Sequence, residues 1–511
     1  MSSPFRRSLP SRPNLEQQRK QAKELLSAFQ HGDATAVARV RSELPDKPSI
    51  SLADGQFVIA REYGFPSWSA LKQHVEGQLD ERTPEDQAHD AFSRRDAQAV
   101  RRLLTQHASL RRLVNAPVFA FNAPPLVICA NDAAMVDVLL EFGADPNQRS
   151  EWWAGGFHPL HVAEGAAADR LLAAGATVDA CAAAHLDRAD LLVDMLVDDP
   201  TRANERGGDG QTPLHFAKSR MVVDLLLEAG ADIDARDVDH RATPAQWMLD
   251  RQRGRGRYAL AQYLVQRRAT VDIFLAAALG LTTSVQTLLS ANRALLDERT
   301  GQGAYGSQPP SSDHIYVWTI GSHLTPLDVA AQFEQSETLA AMLSFATPLQ
   351  RLTFAARRGD ASAARALVRE QPGIVAAMPA SEHRALADAA WRGDVKSAAL
   401  MLELGFDPHT PGHDSGTALH CAAWEGATEI VRLILRHPDM ASLIAIKDAR
   451  YGATPLGWCT HGSLHGNSAH DHAGVARLLL AAGATVGPDA ENASPAVRGV
   501  IDAWRAGRAG T

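Results

Sequence analysis

A short phrase that returns along the chain limits the fold more than any other feature. It reads TPLHFA from Thr212, HPLHVA from His158, TPLDVA from Thr325, TALHCA from Thr417, TPLGWC from Thr454 and TPAQWM from Thr243. A second phrase follows it: LLEFGADPN around Gly143, LLAAGATVD around Gly175, LLEAGADID around Gly230 and LLLAAGATV around Gly483. Gly143 and Gly175 are 32 positions apart, and Thr212 and Thr243 are 31 apart, which sets the period. The interval from Gly175 to Gly230 is 55, close to two units, and DRADLLVDMLVDDPTRANER fills it as a degenerate copy.

Each phrase has a physical task. The Thr hydroxyl can cap a first helix, and Pro suits its first turn, where a missing N–H costs nothing. Apolar residues at helical spacing, such as Val222, Leu225 and Leu226, make one face of a second helix. Gly230 then offers the left-handed residue that ends it. Two helices this short cannot bury their shared face alone, so stability has to come from stacking unit on unit.

These phrases resemble the ankyrin repeat, whose hallmark is T-P-L-H-x-A-A followed by L-L-x-x-G-A-D. The resemblance implies an all-α fold: an ankyrin-type solenoid of helix-turn-helix units with β-turn or hairpin loops, about twelve units between residues 85 and 487. Three units lack the first phrase but keep the paired helices, from Ile273, Arg351 and Arg384. The resemblance also implies that Thr212, His215, Thr417, His420 and His161 are structural, the imidazole tying neighbouring backbones together. Gly143, Gly175, Gly230 and Gly483 are expected to serve the fold in the same way.

Two flanking regions follow their own patterns. Residues 1–11 read as a flexible tail and 12–79 as a small module of four short helices, with Leu25, Leu26, Phe29, Val37, Val40, Phe57, Ile59, Leu71 and Val75 as its apolar positions. Phe65, Trp68 and Leu71 are placed between its last two helices. Its PNLE start and AREYGFPSW stretch resemble a module that precedes ankyrin arrays in bacterial proteins, which implies a bacterial source. At the other end, residues 488–511 contain SPAVRGVIDAWRAG, which reads as a closing helix.

Composition narrows the function. The 511 residues carry 51 Lys plus Arg against 59 Asp plus Glu, a net charge of −8, so no general attraction to nucleic acid or an anionic membrane is expected. The longest apolar run is about nine residues, from Ile273, well short of the roughly 20 needed for a membrane span. Cys129, Cys181, Cys421 and Cys459 stand far apart, which suits reduced thiols in the cytoplasm. The sequence holds no nucleophile elbow, Walker loop, HExxH or kinase set, and no cofactor is expected.

Three insertions give the array its individuality. Near 251–257 the loop carries Arg251, Arg253, Arg255 and Arg257, open to two readings: an anion or nucleic-acid patch, with Arg267 and Arg268 beside it, or a solvated loop. Near 300–324 a lone GxGxxG (Gly301, Gly303, Gly306) neither follows a strand nor opens a helix, so no dinucleotide site is expected. The run from His314 to Ile320 is rich in aromatic and β-branched residues and reads as an extended arm or hairpin, with Tyr316 and Trp318 on one side of it, either packed on the array or presented as a binding patch. Near 459–474 the loop gathers Cys459, His461, His465, His470, Asp471 and His472, competent ligands for zinc at no standard spacing.

Aligning the last four units places Arg357, Trp391, Trp424 and His461 at one position, followed by Arg358, Arg392, Glu425 and Gly462. By the resemblance these positions face the concave groove and contact partners. Stacking would line them up as an aromatic, cationic stripe. Trp247 and Trp458 fall in the slot of Cys421 and are expected inward. The leading function is therefore a non-enzymatic scaffold that binds a protein or peptide. The alternatives are a metal-binding or metal-dependent protein using the Cys459–His472 loop, and nucleic-acid binding through Arg251–Arg257.

Overall fold

The computed structural model describes residues 5, 15–30, 33–45, 47, 49–72, 83–467, 469–487 and 492–509. Most of the tail over 1–11, and Val75, lie outside them. The chain forms two units: one is Arg82–Ala346, and the other joins the residues before Arg82 to those from Thr347 onward. The described residues contain no strand, only two isolated bridges, Phe119 with Ala123 and Gln308 with Ser311. No helix among them is long and apolar enough to cross a membrane.

Pairs of antiparallel helices account for most of both units. In the Arg82–Ala346 unit they run from Pro84–Ser93 with Ala97–Gln106 to Pro326–Gln332 with Ser336–Phe345. In the other unit four pairs follow, beginning at Pro348, Ala385, Ala418 and Pro455. The first helices are short and almost wholly buried: Ala180 to Ala184, Ile273 to Leu279, and Ala418 to Ala423. Small side chains let these layers approach closely, so each helix is covered by its neighbours on both sides.

The repeated phrase earns its place through capping. His215 Nδ1 accepts from the Thr212 N–H at 3.0 Å, so its proton sits on Nε2, which donates to the Ala242 carbonyl of the next unit at 3.1 Å. His420 does the same between Thr417, at 3.2 Å, and Ala453, at 3.0 Å. Burial drives the His215 imidazole down to about 3, which keeps it neutral. Where the sequence varies, the bond survives: Gln246 Oε1 accepts from Thr243 N at 2.8 Å, and Asp328 accepts from Thr325 N at 3.0 Å. His161 faces a carboxylate instead of a carbonyl, its Nε2 lying 3.0 and 3.1 Å from the Asp179 oxygens.

The second phrase ends each pair. Gly143, Gly175, Gly230 and Gly483 have φ of 88°, 87°, 91° and 100°, in the left-handed region. A Cβ at the first three would meet nothing within 4 Å, so conformation rather than space calls for glycine there. Asparagines then join one turn to the next. Asn115, Asn147 and Asn204 donate to the carbonyls of Gly143, Gly175 and Gly230 at 2.8, 3.1 and 2.9 Å. The same side chains accept from the N–H groups of Asp145, Thr177 and Asp232. Side-chain amides thus do the bonding between turns that paired strands would otherwise do.

In the module near the N-terminus, the helices Leu15–Gln30, Ala34–Glu43 and Leu52–Glu62 and a helical turn over 68–72 enclose Leu25, Val40, Val58, Ile59, Trp68 and Leu71. The carboxylate of buried Glu62 takes a two-pronged bond from Arg39, at 2.7 and 2.9 Å. At the other end, the helix Pro495–Ala509 buries Val497 and Ile501 against the array.

One insertion differs from its sequence reading. The run His314–Ile320 is no extended arm: Tyr316–Thr319 is a helical turn. Residues two apart on a helix point nearly opposite ways. Tyr316 is accordingly buried, donating its hydroxyl to Asp272 at 3.0 Å, while Trp318 is 46% exposed. The arginine loop does not form a common patch. Arg257 turns inward to donate to the carbonyls of Ala217 and His215 at 2.5 and 2.8 Å. Arg255 pairs with Asp250 at 3.3 Å, and Arg251 lies over the Phe333 ring.

Candidate partner-binding face

The end of each first helix in the last four pairs carries one residue of a ladder. Trp391 ends Ala385–Trp391, Trp424 ends Ala418–Trp424, and Arg357 ends Pro348–Arg357. His461 lies within the longer helix Pro455–His465. Because these helices stack in register, the two indoles lie nearly parallel, 6.0 Å between centroids at 14°. His461 continues from Trp424 at 5.4 Å, and His465, one turn along the same helix, lies 4.3 Å from His461. His413, from the turn before Thr417, closes the other end against Trp391 at 4.1 Å. The result is a row of five rings.

Both tryptophans are half-buried, each with one side on the aliphatic core of the stack. They are therefore partly structural and partly available. Charges border them: Arg358 and Arg392 are exposed, with Arg358 over the Phe354 ring at 5.7 Å. Glu425 is half-buried and faces His470 Nδ1 at 3.6 Å. Arg357 is half-buried, and its carbonyl accepts from Ser397 at 3.1 Å. Of the inward pair, Trp458 is 5% exposed and bonds Asp448 at 3.0 Å, whereas Trp247 is half-buried. Tyr316 and Trp318 belong to the Arg82–Ala346 unit and form no part of this row.

The six residues considered as metal ligands do not converge, and Asp471 instead caps the helix His472–Ala481 by accepting from Gly474 N–H at 2.7 Å. Cys459, His461 and His465 stand on the helix Pro455–His465, not on a loop. Cys459 is buried, with Sγ 3.2 Å from the His472 carbonyl, and burial pushes its thiol up to about 12. His472 is turned to the Trp424 carbonyl at 2.7 Å, and His470 is turned to Glu425. A helix spreads side chains around its axis, so ligands close in sequence point to different neighbours. The ligand clusters that do form among the described residues lie elsewhere: His161 with Asp179 and Cys181, and Asp209 with Asp239 and His240.

As members of this row His413 and His465 were not foreseen in the sequence, because neither shares the register of the tryptophans. Helical spacing from His461 was the available signal for His465; nothing marked His413. All four cysteines are single and buried.

Comparison with known proteins agrees with this architecture. A family model described as "Ankyrin repeat" matches residues 209–238, and one described as "Ankyrin repeats (many copies)" matches 383–435. No curated protein matches. Among solved structures, the crystal structure of the human ASB11 ankyrin repeat domain aligns at 16% identity and a TM-score of 0.22, over 61% of this chain and 100% of that one. The two matched segments fall one in each unit, on helix pairs built like their neighbours, and the chain carries ankyrin repeats in both.

Proposed function

We propose that this chain is a non-enzymatic scaffold that takes up a protein or peptide along the Trp391–Trp424 row and the adjoining turns. Ankyrin repeats are in general protein–protein interaction modules, which agrees with a binding role. The observation that carries the reading is the stacked indole pair, backed by the core on one side and bordered by the exposed Arg358 and Arg392. Tryptophan and arginine contribute disproportionately to interface energy, and rings already held in place lose little freedom on binding. Trp318, exposed in the Arg82–Ala346 unit, is a second contact candidate. The setting proposed is the cytoplasm of a bacterium, from the single thiols and the likeness of the N-terminal module.

The test compares immobilised wild type with two variants in capture from cell extract. One variant is Arg358→Glu/Arg392→Glu, which alters only exposed charge; the other is Trp391→Ala/Trp424→Ala. Proteins held by the wild type are expected to fall at least tenfold on both, with the arginine variant melting as the wild type does. Retention of the same proteins by both variants would refute the reading.

A further inference from the structure

Stacking brings three ligating side chains together in the Arg82–Ala346 unit. Asp209 stands three residues before Thr212 and His240 three before Thr243, so consecutive repeats set these two positions side by side. Asp239 joins them. One oxygen of each carboxylate and one ring nitrogen of His240 lie within 4.8 Å of one another, with His240 Nε2 3.6 Å from Asp239 Oδ2. Asp209 is 6% exposed, Asp239 is 3% exposed, and His240 is half-buried.

The outer sides of two of these ligands are already held. His240 Nδ1 lies 2.8 Å from the Asp313 carbonyl, which can only accept, so Nδ1 carries a proton and Nε2 faces the carboxylates. Asp239 Oδ1 accepts from the Ser312 N–H at 3.1 Å. Both partners come from the insertion between Gly301 and Ser322, and this docking also joins Ser311 to the Val238 carbonyl and Arg241 to that of Gly306. The third acid nearby, Asp237, is satisfied by the N–H groups of His240 and Ala242 at 2.8 and 2.7 Å.

Asp209 is held less firmly: the Trp152 indole N–H is the donor turned towards it, yet that nitrogen makes no well-formed hydrogen bond. Asp209 Oδ1 is sealed from solvent without a well-formed hydrogen bond, on a residue held at φ 54°. A buried acceptor without a well-formed hydrogen bond is costly, and so are two carboxylates sharing a dry site. A cation removes both costs.

We propose that Asp209, Asp239 and His240 bind one divalent transition-metal ion of the zinc class. An imidazole whose far nitrogen donates to a backbone carbonyl is the usual outer arrangement of a metal-binding histidine. Two carboxylates and one imidazole suit a borderline ion and balance its charge. Ligands about 2.0–2.2 Å from one ion lie roughly 3–4 Å apart, which small rotamer changes reach from the present spacing. The ion clamps two consecutive repeat turns to the insertion. The second cluster is closed to such a role: His161 already bonds both Asp179 oxygens, and Cys181 Sγ lies against the Gln211 carbonyl.

The full chain, stripped with a chelator, is titrated with zinc chloride by calorimetry and with cobalt chloride by visible absorption. One equivalent of zinc and a cobalt d–d spectrum are expected. Asp209→Asn and His240→Gln are each expected to weaken binding at least tenfold, and His465→Gln/His470→Gln to bind as the wild type. Saturating zinc should raise the melting temperature of the wild type and leave that of Asp209→Asn unchanged. Asp209→Asn keeps shape and fold, so the test stands even if His240→Gln misfolds. Absence of stoichiometric binding, wild-type affinity in Asp209→Asn, or loss confined to the His465/His470 variant would overturn the assignment.

Discussion

His215 shows how one side chain can serve a whole repeat. It is bare at Nδ1 for its own helix cap and protonated at Nε2 for the next unit, and no other protonation state meets both demands. His215→Ala leaves a buried N–H and a buried carbonyl unpaired, at a cost of about 2–4 kcal/mol at pH 7.5 by urea unfolding. The penalty should shrink on acidification. The folded imidazole titrates near 3 and the unfolded one near 6.5, so the unfolded chain binds the extra proton first. The stability of the neutral form is complete above about 6.5 and drains away as pH falls toward 3. At pH 5.0 the difference between wild type and variant should be smaller by about 2 kcal/mol.

At the scale of elements, the close approach of layers is the governing fact. The helices ending at Trp424 and at His465 meet where Gly462 faces the Trp424 backbone, and an added Cβ would lie 2.4 Å from that carbonyl oxygen. Gly462→Ala must therefore push two layers apart. A loss of about 2 kcal/mol or more is expected, with changed tryptophan fluorescence as the indole stack separates. Gly230→Ala meets only open space at φ 91° and should cost about 1 kcal/mol with the spectrum unaltered. The existence of these elements was legible, because caps and stops are relations within three or four residues of one phrase. The Asn204 bridge to Gly230 was not: it joins positions 26 apart through a turn of no marked composition.

For each unit as a whole, stability is a sum over interfaces, so an uncovered end weakens it. Val497 and Ile501 on the helix Pro495–Ala509 cover the last repeat. Removing residues 492–511 should expose that repeat and cost about 3–6 kcal/mol, from two aliphatic side chains at roughly 1.5–3 kcal/mol each, read as a lower urea midpoint. Full retention of the midpoint would show that this helix only lies on the surface.

The sequence alone determined the period, the Thr and His caps, the glycine stops and hence the stacked helix pairs, because each rests on local geometry that no neighbour can alter. It also set Trp391 and Trp424 in one register. The tertiary structure decided what those side chains meet: a ring stack extended by His413 and His465, His470 and His472 turned away from it to Glu425 and the Trp424 carbonyl, Arg257 turned onto backbone carbonyls, and Tyr316 buried while Trp318 is not. Those outcomes depend on how an insertion docks and how layers about 30 residues apart abut, and neither is written in any short stretch of chain.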